Sequence, residues 1–392
     1  MSTHFPELNY NAVLVRHAGE LGVKSRKTRS RMVRSLNDHI LSKTKQFGVK
    51  ELQNIMNRTI LFGGTPVEIC KYIGKHIPGV SASNPIVFLE TTKQSDLEKI
   101  GIQYFFTHYR EDIKTFGVKV RRAGNNYPYT SMELARDVGS AIFEAAEKNG
   151  INLIVNLTDP DIMIHLEIKE SNTFFYHEFY PGWEGLPIGS QGIIVASLRP
   201  WKNDYLAACL LERRGAKIIP LYFDTGIEER FNQMKDYIEQ TFSPLQENRE
   251  HYGKTVNLKT AFLEKWKNKV SPEELCTLCH LFVETLTKTL SLRNKRVRAM
   301  VNGLSISDAS PQMLKFLEKK PLLPCLRPLI LPSIPNALPF IFLNDFDYPS
   351  CCKLQKKRFI INEIKNLDEY RLEVQRDAEK YINEEIISSS DK

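Results

Sequence analysis

The spacing of apolar positions changes several times along the chain, and each change marks an element. "NAVLVR" (residues 11–16) is a short apolar run that predicts a strand, and "TRSRMVRSLNDHILSKTKQFG" sets Met32, Leu36, Ile40 and Leu41 at helical spacing with a basic opposite face. "TILFGG", "PVEICKYIGKHI" and "NPIVFLETT" then read as strand, helix and strand. Such an order suits a small ferredoxin-like α+β unit over residues 1–75. From about residue 76 a second unit begins. "TFGVKVRRAG" predicts a strand ending in basic residues, and "YTSMELARDVGSAIFEAAEKNG" is the clearest helix. Thr130 can cap that helix with Glu133 reaching back, Leu134, Val138, Ala141, Ile142 and Ala145 form one apolar stripe, and Gly150 supplies the stop. "NLIVNL" and "DIMIHLEIKE" predict strands. In the second, Ile162, Ile164, Leu166 and Ile168 alternate with Met163, His165 and Glu167, so one face is expected in the core and the other in water or against a partner.

The glycine- and proline-rich stretch "YPGWEGLPIGSQG" (residues 180–192) marks a boundary. Beyond it "GIIVAS", "DYLAACLLERRG", "AKIIPLYFD" and "EERFNQMKDYIEQTF" alternate strand, helix, strand, helix, which predicts a doubly wound parallel sheet. A charged amphipathic helix over residues 359–386 closes the pattern. The expected class is therefore mixed α/β and α+β, in three segments: 1–75, 76–180 and 181–392.

Composition narrows the picture only a little. A chain of 392 residues with 42% hydrophobic content can bury substantial cores. Its net charge of +8 favours an anionic partner. The opening residues carry no basic and apolar leader pattern, and no run of about 18 apolar residues occurs, so a soluble cytoplasmic protein with no membrane partner is expected. Seven cysteines, an odd number spread widely, argue against a secreted disulfide framework.

Several motifs in collinear order carry a resemblance. "VRHAGELGVKSRKTR", "FGVKVRRAG", "YTSMELARDVGSAI", "LTDPDIMIHLEI", "GLPIGSQG", "LLERRGAKIIPLYFD", "CTLCHLFVETLTKTL", "VNGLSISDASPQ", "LRPLI" and "SCC" follow one another from about Val15 to Cys352. Together they resemble the tRNA 4-thiouridine synthetase (ThiI-type) family, in its short archaeal-like form with a THUMP domain and no rhodanese domain. The resemblance implies an N-terminal ferredoxin-like domain, an RNA-binding THUMP domain and a PP-loop ATPase-like domain. It also implies tRNA as partner and a dimer, either with itself or with an intact paralogue.

The resemblance places Arg199, Pro200, Trp201, Lys202, Asn203 and Asp204 where the family pattern reads SGGxDS, the loop that holds ATP while the target uridine is adenylated. Glycines matter there because backbone N–H groups must turn inward on a pyrophosphate at close range. Here all five specified positions depart from the pattern: Pro200 has no N–H to offer, and Trp201 adds bulk. Ser307 and Asp308 replace a glycine and a glutamine of the family pattern, and "LPSIPNALP" follows "LRPLI" where a lysine and an acidic residue belong. ATP is therefore expected not to bind in the usual manner. Arg199 and Lys202 are open to two readings, as partners of an RNA phosphate or as caps of a collapsed pocket.

Two further groups complete the candidates. Arg16, Lys24, Arg26, Lys27, Arg29 and Arg31, extended by Arg34, and the later Lys119, Arg121 and Arg122, are expected to neutralise tRNA phosphates; a solvated basic helix face is the plain alternative. Cys276 and Cys279, with Cys351 or Cys352, match by position the three cysteines on which the resemblance implies an iron–sulfur cluster; ordinary buried thiols are the alternative. Cys325 is read as structural. His17, His165, His177 and His280 show no metal-ligand spacing with one another. The function expected is support of tRNA thiolation as sulfur carrier or inactive partner. An active sulfurtransferase with a rebuilt nucleotide site and a non-sulfur tRNA-binding scaffold stand as alternatives.

Overall fold

The computed structural model describes residues 6–55, 58–124, 127–241, 255–305, 317, 323–328 and 367–387. They form two compact units: residues 1–19 with 40–184, and residues 20–39 with 185–392.

The first unit is built on one path of antiparallel and parallel pairings. In chain order the elements up to residue 184 are β1 (Ala12–His17), α1 (Gly19–Gly22), α2 (Arg26–Thr44), β2 (Val49–Ile55), β3 (Arg58–Gly63), α3 (Pro66–His76), β4 (Val80–Leu89), α4 (Gln94–His108), β5 (Thr115–Ala123), α5 (Ser131–Lys148), β6 (Ile154–Val155), β7 (Ile162–Lys169), β8 (Asn172–Tyr176) and β9 (Tyr180–Pro181). Residues 20–39, which include most of α1 and of α2, group with the second unit. The strands run in the order β2-β3-β1-β4-β8-β7-β5-β6, so strands from residues 1–75 and from 76–180 share one sheet. Phe116, Val118 and Val120 of β5 and Ile162, Ile164, Leu166 and Ile168 of β7 turn to one side, where they pack with Leu97 and Phe105 of α4 and Leu134, Val138 and Ile142 of α5. Thr130 caps α5 as its sequence predicts: Thr130 Oγ1 accepts from Glu133 N at 3.1 Å and Glu133 Oε2 accepts from Thr130 N at 2.7 Å.

One expectation about this sheet holds only for the side a residue takes. Glu167, placed by alternation on the wet face of β7, is 2% exposed. The strand "NLIVNL" also shortens to the two residues of β6.

The second unit holds β10 (Ile193–Leu198), α6 (Lys202–Arg213), β11 (Lys217–Asp224), α7 (Glu228–Thr241), β12 (Thr255–Asn257), α8 (Glu264–Trp266), α9 (Pro272–Leu292), β13 (Val297–Val301), β14 (Cys325–Leu326) and α10 (Leu367–Tyr381), the last running on as a π-helix to Ile387. The sheet order β12-β11-β10-β13-β14, parallel throughout, is doubly wound. The chain moves outward from β10 through β11 and β12, then crosses back to β13. The order therefore reverses between β10 and β13, where their carboxyl ends leave the crevice in which ligands of such sheets bind. Ser271 and Glu274 form a second capping box at the start of α9. Trp266, Phe262, Phe282 and Leu286 fill the core on one side, and Val374, Ala378 and Ile382 from the C-terminal helix complete it.

Candidate functional site

The crevice between β10 and β13 is closed by the loop that leaves β10. Arg199 follows the last residue of β10 and is completely buried, as is Asp204 in the first turn of α6. Arg199 Nε donates to Asp204 Oδ2 at 2.7 Å and Nη2 to Oδ1 at 3.0 Å, a bidentate pair within six residues. The guanidinium carbon lies 5.0 Å from the Trp201 ring centre. Its Nη1 lies 2.9 Å from His280 Nδ1 and 3.0 Å from Nε2 on α9. A guanidinium can only donate, so whichever of the two imidazole nitrogens accepts carries a lone pair. Burial, then the charges of Arg199 and Arg327, push His280 well below its ordinary pKa and keep it neutral.

The loop's amides are directed inward in the same way. Arg199 N donates to Asp204 Oδ2 at 3.2 Å, Pro200 has no N–H, Trp201 N donates to Arg199 O at 2.6 Å, and Asp204 N donates to Trp201 O at 3.1 Å. Gly303, beyond β13, donates its N–H to Asp204 Oδ1 at 2.8 Å. A Cβ on Gly303 would overlap Asn203 C and Asp204 N, so only glycine lets the two loops approach this closely. Lys202 and Asn203 are half-buried at the start of α6, and Trp201 is buried. Below this cluster Asn302 Nδ2 and Arg327 Nη2 both donate to buried Glu284 Oε1, at 2.7 and 2.8 Å. Burial raises the Glu284 carboxyl above its ordinary pKa against the pull of Arg327. Ser307 and Asp308 lie outside the described residues.

The basic residues fall into two sets. In the first unit the sheet face opposite α4 and α5 gathers side chains from several strands. Arg121 on β5 stands beside Glu167 on β7, Lys119 beside His165, and Arg16 on β1 beside Arg58 on β3. Arg16, grouped by sequence with the phosphate-contacting residues, directs its guanidinium inward: Nη2 donates to Glu167 Oε1 at 2.6 Å and to Tyr176 Oη at 2.7 Å, and Nε donates to Asn84 Oδ1 at 3.0 Å. Burial opposes ionisation of Glu167, yet Arg16, the Tyr176 hydroxyl and Arg58 outweigh it and hold the carboxyl below its usual range. One carboxylate thus faces Arg16, Arg58 and Arg121, and the face keeps a positive excess. That excess shows in His165, which burial and then Lys119, Arg121 and Arg16 lower to about 4. The His165 ring lies 5.1 Å from and nearly parallel to that of Tyr176, with half-exposed Phe179 edge-on to both. Lys119 and Arg121 are exposed, whereas Arg122 is partly buried and donates to Tyr129 O.

The second set lies on the segment leading into α2 and on its first turns. Lys24 and Arg29 are partly buried, and Arg26, Lys27, Arg31 and Arg34 are exposed. None of these six forms an ion pair among the described residues. Glu167, Tyr176 and Phe179 of the sheet face were not legible as site residues, because what gathers them is pairing between strands far apart in the chain.

Cys276 and Cys279 sit one turn apart on α9, both partly buried thiols. Cys351 and Cys352 lie outside the described residues. Among the described residues no three His, Cys, Asp or Glu side chains are arranged to hold a metal ion, and no helix is long and apolar enough to cross a membrane.

Fold and site define a class in which a THUMP unit is joined to a doubly wound sheet with a loop site at its switch point. Residues 94–178 match the THUMP domain family. A tRNA sulfurtransferase of Thermoplasma acidophilum is 26% identical over 328 residues, which cover 81% of this chain and 63% of that protein, so the match spans less than two thirds of the relative's length. A probable tRNA sulfurtransferase of Methanobrevibacter smithii is 27% identical over 319 residues, 78% of each chain. Among solved structures, a 4-thiouridine synthetase in complex with RNA and bound ATP superimposes with a TM-score of 0.71 at 16% identity, over 97% of this chain and 98% of that one. A Pyrococcus horikoshii protein gives 0.64 at 22%, over 86% and 99%. The chain thus carries a THUMP domain and is similar over most of its length to ThiI-type tRNA sulfurtransferases.

Proposed function

We propose that the protein binds tRNA and serves its thiolation, of the 4-thiouridine type, without itself adenylating the tRNA, as a sulfur carrier or as the inactive partner of an intact synthetase. The observation that carries this reading is the buried Arg199–Asp204 pair. It occupies the switch-point crevice with side chains, and it turns toward the protein the amides that a pyrophosphate would need. Trp201 and His280 fill the space beside it. These residues do not fit a nucleotide held by a glycine loop, and no step through ATP follows from them.

The names of the relatives support tRNA as the partner and sulfur transfer as the pathway. Lys119 and Arg121 on the sheet face, with the basic start of α2, supply the phosphate contacts, and the His165–Phe179 pair supplies aromatic surface for an unstacked base. Arg16 and Glu167 act behind them by fixing the face. Thiolates at Cys276 and Cys279, completed by Cys351 or Cys352, would hold an iron–sulfur cluster, whose chemistry when bound is to carry an exchangeable sulfide. Partnership with an intact paralogue would supply the adenylation this chain lacks.

Titration calorimetry of the anaerobically prepared chain tests the reading. Binding of tRNA with no heat from magnesium–ATP, with or without tRNA, is the expected result. Micromolar ATP binding that depends on tRNA would overturn it in favour of an active enzyme with a rebuilt site.

A further inference from the structure

Exposed large apolar side chains are few among the described residues, yet Met132, Val155 and Leu157, between 55% and 84% exposed, gather with Phe143 around a single groove. The groove has a volume of about 750 Å³ and runs between α5 and the outer edge of β5. Such a concentration of exposed apolar side chains marks a contact site. Its floor is Val118, Val120 and the small residues Ala135 and Gly139; a Cβ on Gly139 would meet only Val118 Cγ2, at 3.8 Å, so the floor is open there.

The backbone beside the groove is also unfinished. β6 is the edge strand, and it pairs with β5 only at Thr115 and Phe116. Ile154 N donates to Lys114 O and Asn156 N to Phe116 O, so by strand alternation Val118 and Val120 turn their N–H and C=O to the same edge. Among the described residues no strand pairs with that edge beyond Phe116. An added strand would bury every second side chain in the groove against Met132, Phe143 and Leu157. Its other side chains would lie beside Lys119 and Arg121 on the opposite face.

Those two cations, the same ones assigned to tRNA phosphates above, decide the occupant, so an acidic strand and tRNA would compete for that face. A second copy paired through its own β5 edge would set Lys119 and Arg121 against their like, which is unfavourable across a strand pair. We infer that the β5 edge and the α5 groove receive, by strand addition, an extended segment of another protein in which apolar and acidic residues alternate. The site lies within the THUMP-containing unit and does not rest on the state of the nucleotide loop.

Fluorescence anisotropy of the full chain with a labelled (Glu-Val)4 peptide tests this, with (Lys-Val)4 as the control. Saturable binding of the first and none of the second is expected. Met132→Asp and Leu157→Asp, both at exposed positions and so tolerable to the fold, should each weaken binding about tenfold or more, the effect of losing one buried apolar contact. Unchanged melting profiles of the variants establish that they fold. Absence of (Glu-Val)4 binding, equal binding of both peptides, or insensitivity to both substitutions overturns the proposal. So does a dimer in sedimentation that Met132→Asp dissociates, which would assign the groove to a second copy. A loss of tRNA affinity in Met132→Asp would equally overturn it, by assigning the groove to nucleic acid.

Discussion

Replacing Asp204 by alanine isolates the contact on which the reading of the crevice depends. Asp204 accepts four hydrogen bonds, from Arg199 Nε, Nη2 and N and from Gly303 N, and every group involved is buried. Asp204→Ala leaves a guanidinium with no exposure facing an empty site. Removing one partner of a buried pair costs about 3–5 kcal/mol, because the remaining charge loses its compensation without regaining water. The two stranded amides point the same way, though their contributions do not simply add. For a unit of this size the loss corresponds to a fall in Tm of roughly 6–20 °C. The double variant Arg199→Met/Asp204→Leu removes both charges and should recover most of that loss, since apolar replacement of a buried pair is often close to neutral. Urea unfolding followed by tryptophan fluorescence suits the question, because Trp201 sits 5.0 Å from the guanidinium carbon and reports on this loop. A cost under about 1 kcal/mol for Asp204→Ala, or a double variant no more stable than the single one, would refute the picture of a crevice filled by this pair.

Three further outcomes follow from the geometry. Lys119→Glu and Arg121→Glu should each weaken tRNA binding and lower the steepness of its salt dependence by about one ion, measured by filter binding at several salt concentrations; an unchanged slope would remove the residue from the interface. Glu167→Ala strands Arg16 with 12% of its side chain exposed and should destabilise the first unit by about 2–4 kcal/mol in a denaturant melt, whereas a neutral result would mean that water replaces the carboxylate. Folding should weaken as pH falls from 6.5 toward 4: His17, His76, His108 and His165 are held by burial near 4, so the unfolded chain takes up protons first. Glu284, raised by burial, opposes this trend as a single group, and stability that is flat or rising over that window would contradict the burial of these histidines.

Sequence reading succeeds here where the determinant is local. Thr130 and Glu133 stand three apart, and the capping box they form requires nothing beyond the first turn of α5. The strand and helix alternation after residue 192 likewise yields the doubly wound order. The missing glycines between Arg199 and Asp204 are equally visible, but what replaces them is not. Arg199 meets His280, 81 residues on, and Asp204 meets Gly303, 99 residues on, through the return of the chain across the sheet. Glu167 shows the same limit. Alternation along β7 assigns it to the wet face, and it does lie on that face, but Arg16 from β1 covers it. Period-two patterning reports which side a residue takes and says nothing of what a distant strand places above it.

Adenylation of tRNA releases pyrophosphate, so the central claim is tested most directly by measuring tRNA-dependent release of pyrophosphate from ATP with the purified chain alone. The account predicts no release above the level seen without protein, in the same preparation that binds tRNA. Sustained release that requires both tRNA and this chain would contradict it, and would mean that the loop from Arg199 to Asp204 opens to hold a nucleotide.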